Sequence, residues 1–412
     1  MSDLRHRIPE VSTSSTQSGE LRAKEQDGDP ELKHGILMQI LRSLLLITWF
    51  NGCCVVIVIT QFIGAPLYFV NKDYFYAYMS MTKQCFGILI ITVTHWGAPT
   101  LVRVSGDESV KGQLHLTPDG RLKTNFTNRL VFIANHQVYT DWLYLWWITY
   151  TSRMHGHIYI ILKESLKYIP LLGTGMMFYG FIFMARKWES DKPRLQHRLD
   201  KLKTRHSGPM SGPQSLDPMW LLIFPEGTNL SINTKRISDK YGEKTGIEPL
   251  KHMILPRSTG LFFCLQQLKG TVDCVYDCTI GYEGPPKGCY PDRYFTLRST
   301  YGQGRPPKSV NMYWRRWAVE DIPLDDQRVF EEWLLERWRE KDALLDQFFE
   351  TGRFPTSLES SIDSAGTSGN QAIEASRGYI ETTIQLRHWI EIGEIFAVLL
   401  FCALGFLYWG SS

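Results

Sequence analysis

Asn135, His136 and Asp141 lie in the run ANHQVYTDW, between the strand-like RLVFI and the helical WLYLWW. A histidine beside a carboxylate can act as a general base. The carboxylate holds one ring nitrogen and leaves the other free to take a proton. Of the eleven histidines, only His136 has an aspartate five residues on. Five residues of continuous helix rotate by about 140°, so the two side chains cannot meet on one helix. They can meet if His136 occupies the turn and Asp141 the first helical turn, with Thr140 as N-cap. On these residues alone, a capped helix beside a satisfied histidine is an equal reading.

Three further segments carry chemistry at a distance. Phe224-Pro225-Glu226-Gly227-Thr228-Asn229 follows MWLLI and precedes a helical stretch. A strand-to-helix turn offers backbone N–H groups to an anion; Gly227 permits close approach and Thr228 adds a hydroxyl. Glu226 is out of place at a phosphate site unless it orients a basic group or a hydroxyl, and an ordinary turn fits the same residues. The run from Gly180 to Arg186, GFIFMAR, reads as a buried strand ending in a guanidinium suited to bidentate phosphate contact; solvated charges after a strand are the plainer alternative. ILPRSTG, with Pro256, supplies another Pro-bounded turn.

The elements that must position these residues are legible as apolar runs. Strand-length stretches rich in β-branched and aromatic residues occur at 130–134, 158–162, 180–185, 219–224, 271–282, 294–300 and 310–317. Their alternation with helical stretches predicts an α/β layer domain over 100–320. Residues 168–185 are uncharged and nearly long enough to span a bilayer, but Pro170, Gly173, Gly175 and Gly180 divide them into a turn, a short helix and a strand. An amphipathic helix is predicted within 321–354, able to pack on the body or lie on a bilayer.

The flanks differ in character. Residues 1–34 read as a disordered tail, and the first apolar run begins too late for a signal-peptide pattern. Between Ser43 and Asn71 there is no charge, and between Tyr74 and Pro99 only Lys83 is charged. Residues 35–99 are therefore expected to form a membrane helical hairpin, turning at Asn71, Lys72 and Asp73. After a Ser/Gly-rich linker over 355–388, a C-terminal transmembrane segment is expected over 389–412, with Trp389 and Trp409 at the two interfaces. With 45 basic and 42 acidic residues and no dense basic block, nucleic acid is not an expected partner. The eight cysteines contain no Cys-x-x-Cys pair, and His155 and His157 are too few ligands, so no metal site is expected.

In this order and at these intervals, the four segments resemble the signature of the lysophosphatidic acid acyltransferase type of glycerolipid acyltransferases: Asn-His-x4-Asp, Gly-x-Ile-Phe-x-x-Arg, Phe-Pro-Glu-Gly-Thr and a Pro-containing block. The matching positions are Asn135, His136 and Asp141; Gly180, Ile182, Phe183 and Arg186; Phe224 to Thr228, including Pro225; and Pro256. The resemblance covers roughly 90–320. LKESLKYIPLLGTGM, the triplet at 186–188 and ILPRSTG look most like the eukaryotic lysocardiolipin and acyl-phosphatidylinositol branch.

The resemblance implies a mixed sheet flanked by helices. It also implies transfer of an acyl chain from acyl-CoA, a co-substrate, to a lysophospholipid such as lysophosphatidylinositol, monolysocardiolipin or lysophosphatidic acid. His136 would be the general base and Asp141 its orienting partner, with no covalent intermediate and no metal or organic cofactor. Arg186, Glu226, Gly227 and Thr228 would bind the acceptor phosphate, with Lys163 a further candidate. Asn135, Gly180, Pro225 and Pro256 would serve the motifs' structure. The absence of a Gly-x-Ser-x-Gly elbow, and of any cysteine near His136, agrees with direct attack. Excess Lys and Arg beside the tail and body predicts a cytosolic body. The family's habit points to the endoplasmic reticulum membrane, with mitochondria-associated membrane open. The rival class is a non-catalytic lipid-binding protein that retains the fold.

Overall fold

The computed structural model describes residues 34–286, 288–355 and 378–411. The expected tail lies outside them except for His34, as does 356–377 of the expected linker.

Eight strands form one mixed sheet: β1 (Leu101–Gly106), β2 (Arg129–Ala134), β3 (Ile158–Lys163), β4 (Ile182–Met184), β5 (Met219–Ile223), β6 (Cys274–Glu283), β7 (Ser309–Ala318) and β8 (Ile380–Thr383). Their spatial order is β8-β1-β7-β6-β2-β5-β3-β4. The run β6-β2-β5-β3-β4 is parallel throughout; β7 is antiparallel to β6 and parallel to β1, and β8 closes the edge antiparallel to β1.

Strand periodicity divides the core in two. Leu130, Phe132 and Ala134 of β2, with Trp220 and Leu222 of β5, enter one buried cluster, while Val131, Ile133, Leu221 and Ile223 enter another on the opposite face. Such strands are buried on both sides and read as continuous apolar runs. The first face is covered by α1 (Ile36–Gly64), α2 (Lys72–Gly97) and α3 (Asp141–Thr151). The second is covered by α5 (Trp188–Leu202), α7 (Ser258–Leu268) and α8 (Gln327–Thr351). Two further helices, α4 (Leu172–Phe178) and α6 (Ile232–Thr245), follow β3 and β5. The uncharged stretch 168–185 folds as a turn, α4 and β4.

The amphipathic helix docks on the body. α8 starts at Asp326, whose carboxylate accepts from Arg328 N at 2.7 Å and Val329 N at 3.3 Å. It buries Phe330, Leu334, Trp338, Leu345 and Phe348 on one face.

Three expectations need revision. Residues 294–300 are not a strand: a short helix Pro291–Tyr294 runs into the π-helical turn Arg298–Gly302. Here the Thr296 hydroxyl accepts from Ser299 N at 3.1 Å, a local bond that competes with ladder pairing. The segment 380–383, read as linker, is β8, pinned to the sheet where Arg103 bridges Glu381 at 2.8 Å and Glu283 at 3.0 Å.

The third concerns the hairpin. Asn71 does cap the start of α2, its Oδ1 accepting from Asp73 N and Tyr74 N. Yet α2 is a core helix rather than a second apolar span. It is buried from Cys85 through Thr92, and its Lys83 ammonium reaches the Ile158 carbonyl of β3 at 2.9 Å. Among the described residues, one helical stretch, Ile36–Val70, is long and apolar enough to cross a membrane by itself. One side of α1 is buried through Cys53, Cys54, Ile57, Thr60, Gln61 and Gly64, at helical spacing. At the C-terminus, α9 (Ala397–Ser411) is bent 62° from Trp389–Ile395. Its 15 residues reach about 22 Å, so only together with Trp389–Ile395, as one bent pair, is the segment long and apolar enough for a ~30 Å hydrocarbon core.

Candidate active site

Three of the sequence motifs and Lys163 converge because four adjacent parallel strands end together, and the Pro256 segment joins them through the Pro225 turn. His136 follows β2, Glu226 to Thr228 follow β5, Lys163 ends β3 and Arg186 follows β4. In open α/β sheets, the carboxyl ends of the strands form the usual binding crevice.

His136 Nδ1 lies 2.8 Å from Asp141 Oδ2, across the turn between β2 and α3. Thr140 occupies the N-cap position, but its hydroxyl makes no capping bond. Instead the Asp141 carboxylate accepts Val138 N at 3.0 Å, so one oxygen both closes the turn and holds the imidazole. The other oxygen, Oδ1, accepts the Tyr282 hydroxyl at 2.5 Å. Asp141 is wholly buried, while the His136 side chain keeps 18% of its surface open. The ring of Phe224 stacks on the imidazole at 4.3 Å between centroids. With Nδ1 committed to Asp141, Nε2 is the nitrogen left to take a proton.

Asn135 turns inward. Its Oδ1 accepts Ile280 N at 2.7 Å and its Nδ2 donates to Ile280 O at 3.0 Å, extending the β2–β6 ladder by a side chain. This fixes where the chain leaves β2 and therefore where His136 stands.

His136 opens on a cavity of about 810 Å³. Lys163, Arg186 and Arg257 supply three cations to its lining, beside Gly227 and Thr228. Gly227 adopts φ +70°, and a Cβ there would meet Arg257 Cδ at 3.6 Å. Pro225 joins the turn to the next motif, its carbonyl accepting Arg257 N at 2.8 Å just after Pro256. Arg186 has φ +65°, strained for a non-glycine residue, and its Nη2 donates to Gly227 O at 2.5 Å. The strain is held by Asp191 at the start of α5, whose buried carboxylate accepts Ala185 N at 2.8 Å and Lys187 N at 2.9 Å. Gly180 enters β4 at φ +73° against the Tyr159 ring. Away from the cations the cavity is apolar, walled by Trp142, Trp146, Phe181 and, from α1, Phe50, Cys54 and Ile57.

Glu226 departs from its expected place. Its side chain is buried away from the cavity, and Oε1 accepts His136 N at 3.2 Å. Burial pushes its carboxyl well above the usual range, against the His136 N–H and the Lys341 ammonium, which pull it down. Among the described residues Oε2 makes no close hydrogen bond, although the Trp338 indole also pulls the carboxyl down. Behind it, Lys341 of α8 is fully buried and donates to Asp277 and to Cys278 O at 2.8 Å. Glu226 thus ties the loop after β5 to the turn that carries His136, and Leu230 N adds a second tie to His136 O at 2.7 Å.

Tyr282, Arg257 and Asp191 are the site residues that sequence reasoning did not single out. Arg257 sat inside ILPRSTG, and its charge was the available signal. Tyr282 and Asp191 carried none, since their roles arise from pairings made only in the fold. Among the described residues, no group of three or more His, Cys, Asp and Glu side chains converges to hold a metal ion.

The chain is similar to known proteins over most of its length. The family profile described as Acyltransferase matches residues 102–282, and a second, Acyltransferase C-terminus, matches 303–374. A 2-acyl-1-lysophosphatidylinositol acyltransferase of Saccharomyces cerevisiae is 37% identical over 355 residues, covering 80% of this chain and 89% of that one. An uncharacterized acyltransferase of Schizosaccharomyces pombe is 35% identical over 86% of this chain and 92% of its own. Lysocardiolipin acyltransferase 1 of Gallus gallus is 32% identical over 55% of each. With its motifs gathered on one crevice and two relatives matched over most of both chains, the chain belongs to the lysophosphatidic acid acyltransferase type of glycerolipid acyltransferases.

Proposed function

We propose that the protein transfers a fatty acyl chain from acyl-CoA to the free hydroxyl of a lysophospholipid, with lysophosphatidylinositol as the preferred acceptor. The observation that carries this is the His136–Asp141 pair opening on a cavity that is cationic beside His136 and apolar beyond it. The acceptor preference rests on the yeast relative that is 37% identical over 355 residues.

The acceptor's hydroxyl proton passes to His136 Nε2 as its oxygen attacks the thioester carbonyl. The bond to sulfur then breaks, and the CoA thiolate takes the proton from the imidazolium. Asp141 stabilises that imidazolium, so its effect is greatest in the transition state. No enzyme nucleophile is required, because the thioester is already activated. Lys163, Arg186 and Arg257, with the Thr228 hydroxyl, hold the acceptor's phosphate, the Gly227 N–H being already given to the Phe224 carbonyl. Glu226 positions His136 instead of touching phosphate. The apolar arm of the cavity receives acyl chain.

The body attaches to the cytosolic face of the endoplasmic reticulum. The exposed side of α1, with Leu44, Leu45 and Phe62, and the exposed α9 enter the bilayer. Asn125, exposed in Asn-Phe-Thr, then stays unglycosylated; a glycan there would refute this orientation.

The decisive assay gives microsomes bearing the chain or His136→Ala labelled oleoyl-CoA with lysophosphatidylinositol, monolysocardiolipin or lysophosphatidic acid. Label entering phosphatidylinositol with the wild type alone is expected. Label entering none, with both proteins folded, would favour a lipid-binding role.

A further inference from the structure

A second cleft, of about 500 Å³, opens at the other end of the sheet. Arg129 and Met219, the first residues of β2 and β5, line it, so it faces the amino ends of the strands that carry the catalytic motifs at their carboxyl ends.

Its charge is lopsided. Lys83, Arg129, Arg198 and Lys201 line it, against the single carboxylate of Asp217. Two of the cations are structural. Arg129 donates to the carbonyls of Thr271, Asp217 and Leu202, and Lys83 to that of Ile158. Asp217 is also engaged, accepting the Ser211 hydroxyl at 2.6 Å. Arg198 and Lys201 stand one turn apart on α5, both partly buried. Neither has a hydrogen-bond or ion-pair partner among the described residues. Two such cations, neither paired with the cleft's one carboxylate, suit a phosphate.

The rest of the cleft is largely aromatic and aliphatic, with His206, Ser80 and Thr204 among its other polar side chains, and it leads outward. Phe62 and Phe178 meet edge to face at 5.4 Å on its wall, and Tyr68 completes it. Beyond Tyr68, Phe69 and Val70 are 89% and 81% exposed. An amphiphile would place its phosphate between Arg198 and Lys201 and run its chains along these rings toward the exposed end of the α1 segment.

We propose that this cleft binds a glycerophospholipid by its phosphate, separately from the acyl-transfer site. The wall between the two cavities is α4 and the residue after it. Leu172 and Met176 face the catalytic cavity, Thr174 and Met177 face the cleft, and Tyr179 lines both. A lipid seated in the cleft therefore bears on the apolar wall of the active site.

The full chain in dodecyl maltoside micelles, titrated with dioleoyl phosphatidic acid and read by native mass spectrometry, tests this. Arg198→Ala with Lys201→Ala should retain one fewer phosphatidic acid per chain than wild type, with affinity for the lost lipid down roughly tenfold or more. Its acyl transfer in lipid-free micelles should be unchanged. Dioleoylglycerol, which lacks phosphate, should not fill the site, and inorganic phosphate should not displace the lipid. Equal retention by the double variant, filling by dioleoylglycerol, or displacement by inorganic phosphate would each overturn the proposal. If the double variant melts early, Lys201→Ala alone should still weaken retention, and unchanged retention there is equally fatal.

Discussion

Asp141→Asn separates the charge of the catalytic pair from its geometry. The wild-type carboxylate makes three contacts: Val138 N at 3.0 Å, His136 Nδ1 at 2.8 Å and the Tyr282 hydroxyl at 2.5 Å. An asparagine fits the same buried site. Its carbonyl oxygen can still accept Val138 N–H, and its amide can donate to Tyr282, whose hydroxyl accepts as readily as it donates. The turn into α3 should survive, and the melting temperature should stay close to wild type. What disappears is the negative charge facing the imidazolium that forms as His136 takes the proton. Unit charges about 4 Å apart interact by roughly 4 kcal/mol at an effective dielectric of 20. That corresponds to about a 10³-fold loss in kcat. The assay is label transfer from oleoyl-CoA to lysophosphatidylinositol by the full chain in microsomes, at saturating concentrations of both. A variant that folds normally yet keeps more than about a tenth of the wild-type rate would refute the general-base reading of the pair.

Three other changes probe neighbouring parts of the site. Tyr282→Phe removes one hydrogen bond to Asp141 and should lower kcat about five- to tenfold, or ~1 kcal/mol, with KM unchanged; a KM effect alone would contradict a positioning role. Arg257→Ala should lower kcat/KM for lysophosphatidylinositol by about ten- to a hundredfold through KM, while an uncharged monoacylglycerol acceptor is unaffected; equal losses on both acceptors would count against phosphate binding. Glu226→Gln tests linkage. The folded carboxyl is raised well above 4.5, so its protonated form favours folding. That stabilisation is complete below the ordinary carboxyl range and is lost as pH rises through the raised folded value. The glutamine variant keeps an acceptor for His136 N, so its melting temperature should depend less on pH than the wild type's above that range; parallel curves would show that the burial of Glu226 is not linked to stability.

The sheet was readable because its central strands are buried on both faces. Runs such as RLVFI and MWLLI leave little room for another reading once turns bound them. The catalytic turn was readable in outline, since residue types and chain direction limit where His136 and Asp141 can meet. What hid was everything decided by partners distant in sequence. Tyr282 meets Asp141 across 141 positions and Lys341 meets Asp277 across 64. The residues of β8, IETT, are polar at three of four positions and too few to stand out as a strand until β1 offers them an open edge. Glu226 was misplaced for a related reason. A carboxylate in an anion-binding turn looked like a ligand-side residue, whereas the fold turns it back on the His136 backbone.

The apolar hairpin misled because composition does not distinguish lipid from protein as the covering medium. A helix with one charge in a long uncharged run meets the usual criterion for a span. In the fold, Lys83 is neutral to that criterion: its ammonium is satisfied by a β3 carbonyl, and the helix around it is buried by the sheet and α3. This makes the boundary drawn near residue 99 a poor physical boundary. Cys54 and Ile57 of α1 and Phe86 of α2 line the same cavity as His136, and Cys53, Cys85, Phe132 and Trp146 share one buried cluster. Removing the hairpin would strip a wall from the cavity and expose one face of the sheet. The α1 segment, which carries much of the exposed apolar surface, is thus also a wall of the cavity beside His136, so a lipid chain lying along α1 has only the thickness of a helix between it and that space.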